Sequence, residues 1–197
     1  MSKNKEWGLR AERADQQLRL CQKLSRLMAR GLPLGESLTT VVNLVAESMQ
    51  PDSCLLYLLA RGELVLCAAS GQAPRAVGNV KLRLDEGLTG WVARERRVLA
   101  ISGEAYHDPR FKFFRDLPED TYEAFLSTPI IARNRVVGVI NVQHRQSHAH
   151  SGDEIEMIST VGELVGGLVA AACLDSATFE SAEFADLALA GRAVLQS

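Results

Sequence analysis

No apolar run of the chain reads as a membrane span. Its longest weakly polar stretch, Met157 to Leu174, is broken by Glu163 and rich in glycine and alanine, which is the pattern of a packed helix. A secretory signal is missing too, because Met1 to Arg13 is polar and charged where a basic tip and an apolar run are needed. A cytoplasmic location is expected, with no membrane partner. Cysteine is scarce: Cys21, Cys54, Cys67 and Cys173 are scattered without C-x-x-C spacing. That argues against a zinc site and against a secreted disulfide framework, and leaves each cysteine as a small apolar side chain. Neither sign of charge dominates. Lys and Arg total 22 against 24 for Asp and Glu, a net charge of -2, so nothing draws the chain as a whole toward nucleic acid or anionic lipid. Finally, no nucleophile with a base and an orienting partner, and no paired carboxylates in a shared apolar setting, can be assembled, so neither catalysis nor a cofactor is expected.

What is present is enough for one core. The 197 residues, 47% of them hydrophobic, suit a single domain with flanking helices. From about Lys5 to Arg30 the residues are strong helix formers, and Trp7, Ala11, Ala14, Leu18, Cys21, Ser25 and Met28 recur at steps of four and three, a coiled-coil-like seam. Leu20, Leu24 and Leu27 widen the stripe in the C-terminal half, which is therefore expected to dock on the domain. Gly31 and Pro33 end this helix, and a second runs from Leu34 to Met49 with Leu38, Val41, Val42 and Val45 on one side.

The stretch "SCLLYLLARGELVLCAASG" reads as a β-hairpin turning at Arg61-Gly62. A two-residue loop puts Cys54 and Cys67 on one face but diagonal, about 7–8 Å apart, too far for an unstrained disulfide. Val80 to Leu84 is a third strand, Leu88 to Arg94 a short helix and Val98 to Ile101 a fourth strand; Ser102 to Glu123 is a long structured loop with room for one short helix. Strands Ala124 to Ala132 and Val136 to Gln143 flank a turn, and a helix from Gly152 to Leu174 buries Ile155, Ile158, Val161, Leu164, Val165, Leu168 and Val169. Hairpins between terminal helices predict an α+β fold, an antiparallel sheet with the terminal helices on one face and the loop and short helix capping the other. The domain plan is an N-terminal signalling helix (1–33), the sheet domain (34–174) and a helical extension (175–197) that either completes this domain or begins a further one.

The segments "LDEGLTGWVARERRVLAI", "DPRF", "YEAFLSTPIIARNRVVGVINVQHR" and "DEIEMISTVGELVGGLV" occur in an order and spacing that resembles the GAF domain family, over about Leu34 to Leu174. Within it the chain is similar to sensory domains of bacterial regulators such as nitrogen-branch phosphotransferase enzymes I, sensor kinases and antitermination regulators. The resemblance implies a regulatory module that holds a small molecule between sheet and cap and dimerises in parallel through terminal helices. It does not choose the ligand. The clustered cysteines of the methionine sulfoxide reductase subgroup, the N-K-x-x-F run of the phosphodiesterase subgroup and the cap cysteine of bilin-binding members are all absent from the matching positions.

Candidate ligand-binding residues follow by region. In G-L-T-G-W, backbone N–H groups near Thr89 and Gly90 can face an anion at the helix start, with Trp91 or Val92 packed beneath; alternatively Gly87 and Gly90 only shape the turn. In "YHDPRFKFFRDL", Tyr106, Phe111 and Phe114 can close over an apolar body while Arg110 or Arg115 pairs with a carboxylate or phosphate; alternatively the aromatics staple the loop and Asp108 caps a turn. On the strands, Phe125 and Ser127 share one face, Asn141 and Gln143 share another, and Cys67 and Ser70 on the hairpin are further polar candidates. His144, His148 and His150, beside Asp153 and Glu154, have metal-ligand chemistry, but a polar linker offers them little fixed geometry and no functional metal is expected. The leading expectation is a sensory domain for a small polar metabolite, homodimeric through Leu18, Cys21, Ser25 and Met28, with no direct nucleic-acid contact. The alternatives are a ligand-free dimerisation scaffold whose pocket has collapsed around Phe and Trp, and a redox sensor or reductase using Cys54 and Cys67.

Overall fold

The structure is a computed structural model and describes residues 3–70, 76–112, 122–173 and 183–189. Two hairpins form the centre of the sheet. In the first, β1 (Ser53–Ala60) and β2 (Glu63–Ala69) turn through Arg61 and Gly62; in the second, β5 (Ala124–Ala132) and β6 (Arg135–His144) turn through Arg133 and Asn134. All four turn residues have positive φ, 52° and 77° in one turn and 47° and 62° in the other. That is the backbone of type I′ turns, whose twist matches the strands they join. The hairpins pair through β1 and β6, and two short strands, β3 (Lys81–Arg83) on β2 and β4 (Leu99–Ile101) on β5, complete an antiparallel sheet in the order β3-β2-β1-β6-β5-β4.

Strand alternation sorts side chains onto two faces. Cys54, Leu56, Leu58 and Ala60 of β1 join the larger core, beneath the helices, whereas Leu55 and Tyr57 face the other way. β2 departs from strict alternation by a bulge: Leu56 pairs with Ala68 and Tyr57 with Leu66, which puts Cys67 in the bulge. Cys67 and Ala68 consequently both enter the helix-side core, and Ser70 comes opposite Cys54, where its Oγ accepts from the Cys54 N–H at 3.0 Å. Cys54 and Cys67 share a face as their spacing predicts, and all four cysteines are free thiols.

The helices α1 (Lys3–Ala29), α2 (Leu34–Met49), α4 (Gly152–Ala172) and α5 (Phe184–Leu189) lie on that face. α2 seats Leu38, Val41, Val42 and Val45, all fully buried, on β1 and β2; each such side chain contributes about 1.5–3 kcal/mol of burial free energy. α1 rests on α2 and α4 through Leu20, Leu24 and Leu27, as the widened stripe predicts. Phe184, Ala185 and Ala188 bring α5 into the same core, so part of the C-terminal extension belongs with the sheet; the rest of 174–197 lies outside the described residues. The opposite face carries α3 (Gly87–Glu95) and a short 3-10 turn, Ala105–His107.

α4 is long and apolar enough to cross a membrane by length and composition. Its apolar stripe is spent on the core instead: Met157, Ile158, Val161, Val165 and Val169 are buried, and its axis lies close enough to β5 that a Cβ at Gly166 would stand 2.2 Å from the Ile131 carbonyl oxygen. The next residue, Gly167, is exposed, and a Cβ there would meet only the Met28 methyl at 3.5 Å. Gly166→Ala is therefore expected to destabilise the fold by about 1–3 kcal/mol through overpacking, while Gly167→Ala leaves stability unchanged or raises it by up to about 1 kcal/mol through helix propensity. Urea denaturation of the two single variants checks the contrast.

Candidate functional site

The G-x-x-G turn divides its two glycines between two tasks. Gly87 opens α3 with a φ of 66°, and a side chain there would press on Lys112. Gly90 sits against β3, where a Cβ would be 2.5 Å from the Arg83 carbonyl oxygen, and its N–H is already donated to the Glu86 carbonyl at 3.1 Å. Its N–H is thus not available to a ligand. What α3 turns toward the sheet is the Thr89 hydroxyl.

That hydroxyl begins a buried polar chain. Asn141 Nδ2 donates to Thr89 Oγ1 at 2.8 Å, and Ser127 Oγ donates to Asn141 Oδ1 at 2.6 Å. Ser127 and Asn141 are direct partners across β5 and β6, so the sheet register itself sets the second bond. Two residues along β6 on the same face lies Gln143, 8% exposed, whose Oε1 is buried without a hydrogen-bond partner. Thr89, Asn141 and Gln143 line a cavity of about 30 Å³ together with Tyr57, Phe111 and Phe125. This volume holds one or two water molecules. At its rim Lys112 Nζ donates to Glu86 Oε2 at 2.9 Å, and this bond holds the Glu86 carboxyl below its ordinary pKa. Lys112 and Tyr122, which also line the cavity, flank residues 113–121 outside the described set.

The structure thus brings together Thr89, Phe111, Phe125 and Asn141 of the sequence candidates, with Ser127 one bond behind. Trp91 is half-buried against the second core, and the Arg110 guanidinium lies 4.6 Å over its ring. Arg110 also grips Asp108 through two bonds of 2.9 and 2.7 Å, which lowers the Asp108 pKa and raises that of Arg110. Arg110 is therefore tied to Asp108 of its own loop and to Trp91. Tyr106 stacks edge-on against His107 and does not line the cavity. Cys67 and Ser70 stand on the helix face of the sheet, separated from the cavity by the sheet itself. Phe114 and Arg115 lie outside the described residues. Sequence reasoning passed over Leu55, Tyr57 and Lys112, because β1 reads as an unbroken apolar run that assigns no face.

Two further groups of side chains bear on function. Cys54 and Cys67 are fully buried, and burial pushes the Cys54 thiol far above its ordinary pKa, so neither offers the exposed thiolate that redox chemistry needs. His144 at the end of β6 and His148 and His150 on the segment after it converge instead of floating on a linker, with His144 and His148 stacked at 4.1 Å between ring centroids. Burial lowers the pKa of His144, and takes that of His150 down to about 4. A backbone contact with Ile101 opposes that shift in part.

A six-stranded antiparallel sheet with terminal helices on one face and a helix-and-loop cap over a small polar-lined cavity on the other defines a class of α+β folds. The GAF domain model matches residues 33–169, and the chain belongs to the GAF family. It is 30% identical over 105 residues, 52% of its length, to a phosphoenolpyruvate-dependent phosphotransferase system protein of Escherichia coli (strain K12). The match spans only 14% of that relative's length. Among solved structures it resembles the GAF domain of an Acinetobacter phosphoenolpyruvate-protein phosphotransferase, with a TM-score of 0.70 and 30% identity over 79% of this chain and 94% of that one. The GAF domain of the Coxiella burnetii phosphoenolpyruvate-protein phosphotransferase gives a TM-score of 0.75 and 27% identity over 81% and 95%. A free methionine-R-sulfoxide reductase from Thermoplasma acidophilum shares the fold at 17% identity and a TM-score of 0.60 over 72% and 94%.

If Asn141 organises the cavity wall, Asn141→Leu strands the Thr89 and Ser127 hydroxyls. The expected cost is about 1–3 kcal/mol for each hydroxyl left unpaired, read from urea unfolding; a loss below about 0.5 kcal/mol, within the range of inconsequential substitutions, would show that other groups replace the amide.

Proposed function

We propose that this GAF domain is a sensory module that binds a small polar metabolite in the cavity between sheet and cap and passes occupancy through its terminal helices to an output domain. The observation that carries this reading is Gln143 Oε1, a buried acceptor without a partner beside the Thr89–Asn141–Ser127 chain. A buried acceptor left unpaired is costly, and a ligand that brings an N–H or O–H donor removes the cost. Phe111 and Phe125 supply the apolar wall for the rest of such a ligand. A cavity of about 30 Å³ must widen to take a metabolite, so on this reading bound and free states differ around it; that difference is what a signal needs.

The same small volume favours a second reading, a dimerisation scaffold whose cavity is closed by aromatic side chains. In either case we read the module as cytoplasmic, non-catalytic and without direct nucleic-acid contact. The reductase likeness gives the fold alone, and among the described residues Cys54 and Cys67, once redox candidates, are buried on the wrong face of the sheet for chemistry in the cavity. Self-association fits the face of α1 that the core leaves uncovered: Leu18 is 56% exposed, Ser25 is exposed, and Cys21 and Met28 are half-buried.

Native mass spectrometry, with a thermal-shift screen of amino acids, 2-oxo acids and nucleotides, separates the readings. The sensory reading expects a retained small molecule or a stabilisation that rises with ligand concentration by mass action; a responseless domain supports the scaffold. For the seam, Leu18→Glu with Met28→Glu is expected to halve the mass seen by light scattering while the circular dichroism of the sheet domain persists. An unchanged mass would contradict it.

A further inference from the structure

Three of the four histidines of this chain meet at one corner of the fold, away from the cavity. His144 ends β6, and His148 and His150 lie on the segment leading into α4. Their ring centroids are 4.1, 4.9 and 5.7 Å apart, and one ring nitrogen from each lies within 4.8 Å of the other two. A cluster that served only to tie the chain together would pair these nitrogens with protein groups. Here His144 Nε2 is buried with no hydrogen-bond partner, and the buried ring nitrogens of His150 have none beyond a backbone contact with Ile101; a buried group left unmet costs about 1–3 kcal/mol. His148 differs. Its Nε2 is 2.8 Å from Glu154 Oε1, the carboxylate-imidazole pairing that, at metal centres, fixes the ring and leaves the other nitrogen to the ion.

The segment is anchored at several points. The Arg145 N–H donates to Asp52 Oδ2 at 2.8 Å, Ser147 Oγ to Glu123 Oε2 at 2.6 Å, and the His148 N–H to the Ser102 carbonyl at 2.8 Å. Ser151 and Glu154 then close a capping box at the start of α4, the Ser151 N–H donating to Glu154 Oε2 at 2.7 Å and the Glu154 N–H to Ser151 Oγ at 3.2 Å. The fixed geometry that the Ser- and Gly-containing sequence did not promise is therefore present. A cleft of about 290 Å³ between α1, α2 and α4, lined by Arg13, Gln17, Ser48, His148 and Glu154, reaches the cluster at His148.

We propose that His144, His148 and His150 form a binding site for a divalent transition metal, zinc in the first place, with Glu154 positioning His148 and a fourth coordination position left to water on the cleft side. Three imidazoles and one open position suit tetrahedral zinc, and imidazole is equally a ligand for cobalt, nickel and copper. Zinc–nitrogen bonds of about 2.0–2.1 Å place tetrahedral ligand atoms about 3.3 Å apart, so the stacked His144 and His148 rings must turn about their side-chain torsions to share the ion. Occupancy would join the end of β6 to the start of α4, stabilising the corner by mass action.

The test uses untagged protein stripped with a chelator, titrated near neutral pH with cobalt(II) by visible absorption and with zinc(II) by calorimetry and thermal shift. The expected result is saturable binding of one equivalent, with the absorption of four-coordinate cobalt. Glu154→Gln, which keeps the capping box, is expected to weaken binding by roughly 10–100-fold; His144→Asn, His148→Asn and His150→Asn are each expected to weaken it more than that, and His107→Asn not at all. Absence of saturable binding to the unmodified chain overturns the proposal whatever the variants do. So does binding that survives His144→Asn and His150→Asn or is lost with His107→Asn, either of which marks adventitious surface coordination.

Discussion

The pairing of β1 with β6 is the contact on which the rest of the molecule depends. It joins two hairpins that are otherwise complete by themselves, and it does so at close range: a Cβ at Gly138 would stand 2.2 Å from the Tyr57 carbonyl oxygen. Ser53 to Leu58 run opposite Gln143 to Gly138, and because side chains alternate along both strands, this one register decides which residues face the helices and which face the cap. A slip of β1 by one residue along β6 would send Leu56 and Leu58 toward the cap and bury Tyr57 among the helices, and a slip of β6 along β1 would do the same to Ile140 and Val142 against Asn141 and Gln143. The larger core beneath α2 and α4 penalises either slip, so the strongest packing in the fold also aligns its cavity wall.

The division of labour between faces follows. On the helix side, buried side chains are almost all apolar, and Ser70, one of the few polar ones, is satisfied locally by Cys54. On the cap side the sheet presents Ser127, Asn141 and Gln143 to α3, and Thr89 meets them from above. Polar groups in such a place cost stability unless paired, and all but one acceptor of this set are paired within the protein. The exception is adjacent to the cavity, as expected of a surface arranged for an occupant.

Much of this architecture was legible in the sequence, because each element carries its own periodicity. Leu38, Val41, Val42 and Val45 declare the face of α2, and Arg61-Gly62 declares a two-residue turn. The sharing of a face by Asn141 and Gln143 follows from alternation alone. What was not legible depends on contacts between distant segments. The bulge at Cys67 has no local mark, and the continuous apolar run of β1 hides that Leu55 and Tyr57 turn toward the cap. Arg110 reads as a ligand-binding cation until Asp108 and Trp91 are seen to hold it. Gly90 reads as a phosphate-binding glycine until β3 is seen pressed against it. The histidines after β6 read as a loose linker for the same reason: Asp52, Ser102 and Glu123, which anchor them, are far away along the chain.

The central claim is that the cap-side face of the sheet is built to receive a small molecule. A high-resolution crystal structure of protein purified without denaturation or extensive dialysis tests it most directly. The account predicts a non-protein group in the cavity between α3 and β6, donating a hydrogen bond to Gln143 Oε1 with the Thr89–Asn141–Ser127 chain intact. A Gln143 amide paired wholly with protein groups, in a cavity filled by Phe111 and Phe125, would contradict it.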